Sequence, residues 1–368
     1  MSGIKRRDFV GGAAAAALLA TGYGTRANQA AVKVRTIATE EAYAPQAYFE
    51  EFLKKAKRDD TMVTRYLKMY YEKPQVVKQL SNIEVRLADM DQHGIDMQLL
   101  GMTAPGVQVF DADLGTDLAA QTNDEISAIM RRYPGRFAGL AAVAPQSPQR
   151  AALEIERAMG QLGFSGIIIN SHTNGEFLDH PKFEPILQAA TQHQAPVYLH
   201  PTFPPDSMIN AYSDYGMMGA LWGFQAECSL HVTRMILSGV FDRYPGLTMV
   251  LGHMGEGLPY WLGRMDNRYQ NILRRGGLAP LGMTRLKRLP SDYFRSNFYV
   301  TTSGMNWLPP LQYCLDLLGP DRVMFAIDYP FERTADATGF LKAAQENISA
   351  QAFAKIAHRN AESLFKLG

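Results

Sequence analysis

Eight short apolar runs alternate with longer amphipathic stretches, and this alternation restricts the fold more than any other feature of the chain. The runs are VRTIATE (34–40), MQLLG (97–101), FAGLAAV (137–143), GIIIN (166–170), PVYLH (196–200), LTMVLGH (247–253), NFYVTT (297–302) and VMFAID (323–328). They are brief, continuous and rich in Val, Ile and Leu, as parallel strands buried on both faces should be. Between them lie helical patterns such as PQVVKQLSNIEVRLADMDQHG, TDLAAQTNDEISAIMRRY, SPQRAALEIERAMGQLG and HPKFEPILQAATQHQ. Ser147 before Pro148 reads as a helix start, and Asp179 or His180 before Pro181 reads similarly. Gly94, Gly135 and Gly163 fall where helices should stop. Eight strands alternating with helices predict an α/β fold, one (β/α)8 TIM barrel over 32–368. The competing architecture is an open doubly wound sheet. It would want a glycine-rich turn after its first strand, and TEEAYAPQAYFEEF has none. Two connections, 44–75 and 201–225, are too long for turns and read as insertions after strands one and five.

Composition sets the outer limits. A chain of 368 residues suits a barrel with insertions. A net charge of +1 gives no reason to expect nucleic acid or an acidic membrane surface as partner. Cys228 and Cys314 are too few and too far apart for a disulfide framework or a thiolate zinc site, and read as buried free thiols. The segment KRRDFVGGAAAAALLATGYG has a basic start, an Arg6-Arg7 pair and a weakly apolar run. It reads as a twin-arginine export signal over 1–31, cleaved between Ala27 and Ala31. The run is too short and too Ala-rich to span a membrane, so no stable membrane association is expected. The expected address is the periplasm, reached folded through the twin-arginine translocation machinery, and compatible with a metal acquired beforehand.

In a barrel, chemistry gathers at the carboxyl ends of strands. Strand one ends in Glu40-Glu41, four in Asn170, five in His200, six in His253 and eight in Asp328. Four of these strands end in residue types that bind divalent metals or move protons, and barrel closure would bring them together. An unpaired carboxylate at the end of a buried strand is costly, so Glu40 is expected to meet a metal or a strong donor. Alternation turns Glu41 the other way, toward a supporting role or the surface. Glu256 lies three residues beyond His253, a spacing that lets it orient the imidazole if a helix begins there. His172, in the loop after strand four, is a weaker substrate-contact candidate. His93, His193, His231 and His358 read as ordinary helix residues.

The stretches TIATEEAYA, PVYLHP, LGHMGEGLPYW with Arg264, NFYVTTSG and FAIDYPFE resemble the amidohydrolase superfamily. They are most similar to its metal-dependent nonoxidative decarboxylase branch, which acts on hydroxybenzoates such as γ-resorcylate and on aminocarboxymuconate semialdehyde. The resemblance runs over roughly 34–365. It implies one divalent metal (Zn, Mn or Mg) on Glu40, His200 and Asp328. Ala42 stands where γ-resorcylate-type members carry a histidine ligand, and agrees with the 2,3-dihydroxybenzoate and salicylate type. Asn170 stands where a carbamylated lysine would be needed for a binuclear hydrolase. The resemblance further implies Asp328 as the acid that protonates the ring carbon, with His253 and Glu256 tuning it. It implies a homodimer or homotetramer in which Arg264 reaches a neighbouring subunit. Tyr43, Asn170 and Phe331 are the remaining substrate-binding candidates.

The expected activity is therefore removal of carbon dioxide from an ortho-hydroxy aromatic or related unsaturated carboxylic acid. Two other classes fit the same residues. One is a metal-dependent hydrolase of a lactone, ester or amide. The other is a noncatalytic binding protein, favoured only by Ala42.

Overall fold

The computed structural model describes residues 34–368, so the expected export signal lies outside the described residues. All eight expected strands form: β1 (Ile37–Tyr43), β2 (Met97–Met102), β3 (Phe137–Ala142), β4 (Gly166–Asn170), β5 (Val197–His200), β6 (Met249–Leu251), β7 (Phe298–Thr301) and β8 (Val323–Met324). They pair in chain order, every pair parallel. Backbone bonds close the ring between the last strand segment and the first: Thr39 N to Phe325 O at 3.1 Å, Asp328 N to Glu40 O at 3.0 Å and Ala42 N to Tyr329 O at 2.8 Å. The regular part of β8 is two residues long, yet its extension to Tyr329 stays bonded to β1.

Glu41 completes this seam. Its carboxylate accepts from the N–H of Ile327 at 3.0 Å and of Tyr329 at 3.2 Å. The fully buried Arg86 donates to the carbonyl of Ala42 and lies 4.5 Å from the ring of Tyr329. Glu41 is thus buried, and the surface alternative for it is excluded.

The helices follow the sequence with two instructive departures. The pattern over 74–94 splits into helices Pro74–Ser81 and Ile83–His93, because Asn82 is extended and its side chain accepts from Val85 N at 2.9 Å. An N-cap residue there starts a new helix instead of continuing the old one. Ser147 does precede helix Pro148–Arg157, but its side chain makes no cap hydrogen bond. Gly94 and Gly163 both adopt φ near +75°, ending their helices in the left-handed conformation that glycine tolerates best.

The two insertions meet above the barrel. The first holds helices Gln46–Arg58 and Met62–Tyr71, and the second runs irregularly to helix Gly223–Leu237. Tyr66 of the first packs edge-on against Phe203 of the second, ring centres 5.4 Å apart, and Phe203 packs likewise on Phe224. Both thiols are buried, as expected.

Candidate metal centre

Barrel closure brings Glu40, His200 and Asp328 together: one ligand atom from each lies within 4.8 Å of the others. They come from the ends of β1 and β5 and from the extension of β8. The two oxygens of Glu40 have different surroundings. Oε2 accepts from the hydroxyls of Tyr198, Thr301 and Ser303. Oε1 is buried with no hydrogen-bond partner, 3.6 Å from His200 Nε2 and 4.0 Å from His253 Nε2. An orphaned carboxylate oxygen in a buried site is costly unless something positive meets it. His200 is prepared for the same role. Its Nδ1 stands 2.8 Å from the carbonyl of Pro201, which can only accept, so Nδ1 donates there and Nε2 is the nitrogen turned toward Glu40. Two carboxylates and one imidazole around an orphaned oxygen fit one divalent cation.

The remaining polar group is His253. The chain at HMGE does not take up the right-handed helical backbone that was the condition for Glu256 to orient His253. His253, Met254, Gly255 and Glu256 all have φ between 52° and 78°. Four left-handed residues in succession curl the chain so that Nδ1 of His253 meets Oε1 of Glu256 at 2.7 Å. Nε2 then faces Asp328 Oδ2 at 3.5 Å. Asp328 is itself left-handed at φ 74°. Non-glycine residues avoid this region, and a cluster of them at one place marks a site whose geometry outranks local comfort.

The charges of the chain alone set the protonation pattern. Burial opposes ionising Glu40, but His253, His200 and the Ser303 and Tyr198 hydroxyls outweigh it and hold its carboxyl below the usual range. Burial and then the Glu40 carboxylate raise Asp328, against the pull of His253. Burial disfavours the His253 imidazolium, yet Glu256, Glu40 and Asp328 together raise it well above an ordinary histidine. Asp328 therefore holds a proton more readily than a free aspartate. A bound cation would lower the proton affinity of each of these groups.

The other candidates lie in several places. Ala42 lines the cleft beside the three ligands and offers no donor atom, and Gly101, Leu140 and Ile168 add apolar walls. Asn170 is buried beside the β2 loop, its Nδ2 donating to Met102 O at 3.2 Å. Tyr43 turns away: its hydroxyl donates to Glu125 on helix Ala112–Arg132 at 3.1 Å. An odd offset from Glu40 along a strand puts it on the other face. Phe331 is about half exposed, just past Asp328. Arg264 lines an outer groove with Trp261, Met265 and Arg268, between helices Gly223–Leu237 and Leu258–Arg274. His172 is engaged by the Phe203 carbonyl at 2.9 Å and by Gly175 N. The sequence does not single out the hydroxyls on Glu40, nor Gly252, where a Cβ would lie 2.7 Å from both Glu40 oxygens. The signal was present: Tyr198 alternates with His200, and Thr301 with Ser303, so each pair shares a face.

A family model described as Amidohydrolase matches residues 77–367. Gamma-resorcylate decarboxylase of Polaromonas sp. is 35% identical over 305 residues, 80% of this chain and 90% of that one. The chain belongs to the amidohydrolase family. Among solved amidohydrolase structures, 5-carboxyvanillate decarboxylase from Sphingomonas paucimobilis is 42% identical with a TM-score of 0.87, covering 91% of this chain and 100% of that one. The 5-carboxyvanillate decarboxylase of Novosphingobium aromaticivorans, crystallised with manganese and 4-hydroxy-3-methoxy-5-nitrobenzoic acid, is 40% identical with a TM-score of 0.87. It covers 91% of this chain and 96% of its own. These three relatives of the amidohydrolase are thus decarboxylases of aromatic acids.

Proposed function

We propose that this enzyme is a metal-dependent nonoxidative decarboxylase of an aromatic acid bearing a hydroxyl ortho to the departing carboxylate. The carrying observation is the placement of Asp328 beside His253 Nε2, next to an orphaned Glu40 oxygen, in a cleft with apolar walls. Glu40, His200 and Asp328 would hold the cation (zinc, manganese or magnesium), which when bound supplies a Lewis acid for the substrate's carboxylate and phenolate oxygens. Asp328 delivers a proton to the ring carbon that bears the carboxylate. The carbon–carbon bond then breaks, its electrons restore the aromatic ring, and carbon dioxide leaves. The proton lost from Asp328 is replaced from solvent, with His253 as the adjacent relay and Glu256 holding the relay in place. Ala42, Gly101 and Ile168 give the cleft an apolar wall for the ring.

The relatives act on 5-carboxyvanillate and γ-resorcylate, which share the ortho-hydroxy carboxylate, and these two are the first substrates to try. Carbon dioxide release by metal-reconstituted protein on an ortho-hydroxybenzoate panel, absent in Asp328→Asn, is the expected result. Turnover of lactones or esters with no carbon dioxide would replace this reading with a hydrolytic one.

We also infer export through the twin-arginine pathway to the periplasm, from the Arg6-Arg7 leader. A homo-oligomer built on the Arg264 groove is supported by the exposed Leu221, Trp222, Tyr260 and Trp261. Among the described residues, no helix is long and apolar enough to cross a membrane. Fractionation of cells and sedimentation of the pure protein test the two inferences.

A further inference from the structure

The hydroxyls around Glu40 form a closed group. Tyr198, Thr301 and Ser303 are all buried, and all three reach the same oxygen, Oε2. They also touch one another: Tyr198 Oη to Thr301 Oγ1 at 3.0 Å, and Thr301 Oγ1 to Ser303 Oγ at 2.9 Å. Ser303 Oγ accepts from His253 N at 3.1 Å, which leaves its own proton free to point at Glu40. Gly252 walls the other side. A Cβ built there would lie 2.7 Å from both Glu40 oxygens. The carboxylate therefore has neither room to swing nor a free second oxygen.

We propose that Tyr198, Thr301 and Ser303 are positioning residues that hold Glu40 as a one-oxygen ligand, and so set both the affinity and the size preference of the metal site. The proposal rests on the metal reading given above. A carboxylate left free can bind through one oxygen or through both. Large calcium takes six to eight oxygens and welcomes two-oxygen carboxylates, whereas smaller cations take fewer ligands in tighter geometry. A carboxylate with one oxygen saturated by three donors is confined to binding through the other oxygen alone. It favours manganese or magnesium over calcium. The constraint matters more here because Ala42 supplies no donor.

The test is metal binding by full-length protein stripped of metal, titrated with manganese and followed by the resonance signal of the free ion. Calcium competition gives the selectivity, and thermal melting in chelator confirms that each variant folds. Tyr198→Phe, Thr301→Val and Ser303→Ala each remove one hydroxyl. Each is expected to weaken manganese binding about tenfold or more, the usual effect of losing a partner behind a metal ligand, and to narrow its margin over calcium. Thr301→Ser keeps the hydroxyl and should stay close to wild type. A packing role predicts the reverse order, with Thr301→Val harmless and Thr301→Ser weakened; that order, or wild-type binding in folded Tyr198→Phe and Ser303→Ala, would overturn the proposal alone. Wild-type protein that takes up no manganese would overturn the metal reading together with it.

Discussion

His253 Nδ1 stands 2.7 Å from Glu256 Oε1, across a turn whose residues are all left-handed. The contact aims Nε2 at Asp328, 3.5 Å away. Glu256→Gln keeps the shape and removes the charge that helps to raise His253 against its burial. We expect kcat to fall roughly 10- to 100-fold with a smaller change in KM. The kcat limb that reports the imidazolium should move to lower pH, because a cation that loses a facing carboxylate is easier to deprotonate. A pH profile of kcat for both proteins checks it.

Gly252 has no room for a side chain. Its added Cβ would stand 2.7 Å from each Glu40 oxygen. Gly252→Ala should displace the carboxylate, weaken manganese binding, and cost about 1–3 kcal/mol in stability, the usual range for overpacking. Calorimetric titration and urea unfolding measure the two effects separately.

Ala42 can be converted into a ligand. It lines the cleft next to Glu40 and supplies no donor atom. Ala42→His should tighten zinc binding by about tenfold or more while crowding the apolar side of the cleft. Zinc competition against a chromophoric chelator reads the first effect. The KM for an ortho-hydroxybenzoate should rise, which reads the second.

Glu227 makes stability depend on pH. Its carboxyl is pushed up from 4.5 to about 8 by burial, against a hydrogen bond from Ser171. The fold thus binds a proton that the unfolded chain releases, so this contribution is full below pH 4.5 and is lost as pH rises through 8. Buried His231, lowered from 6.5 to about 3, acts oppositely, but only below 6.5. Between pH 6.5 and 8 wild type should therefore lose stability relative to Glu227→Gln, by up to about 1.4 kcal/mol per pH unit. Urea unfolding of both proteins across that window measures the difference.

The barrel is legible because buried parallel strands write themselves as unbroken Val, Ile and Leu runs, and each of the eight runs contains a strand. Glu40, His200 and Asp328 were legible for a related reason: acids and histidines at the ends of such runs have few harmless explanations. Other features were set by contacts between distant parts of the chain. Glu41 was given a supporting or surface role by alternation, yet it clasps backbone N–H groups nearly 290 residues away. Tyr43 follows the motif closely but faces Glu125. The three hydroxyls on Glu40 belong to residue types common in any strand, and only closure of the ring brings them to one oxygen. At HMGE the spacing suits contact between Glu256 and His253 if a helix begins there, and the contact forms without that helix because spacing cannot distinguish right-handed from left-handed backbone.

The most direct test of the central claim is turnover of 5-carboxyvanillate or γ-resorcylate in deuterated water by manganese-loaded enzyme, with product analysed by mass and proton resonance. The account predicts carbon dioxide release with one deuterium on the ring carbon that lost the carboxylate, abolished in Asp328→Asn. Retention of the carboxylate by both substrates with metal demonstrably bound, or undiminished release by the variant, would contradict it.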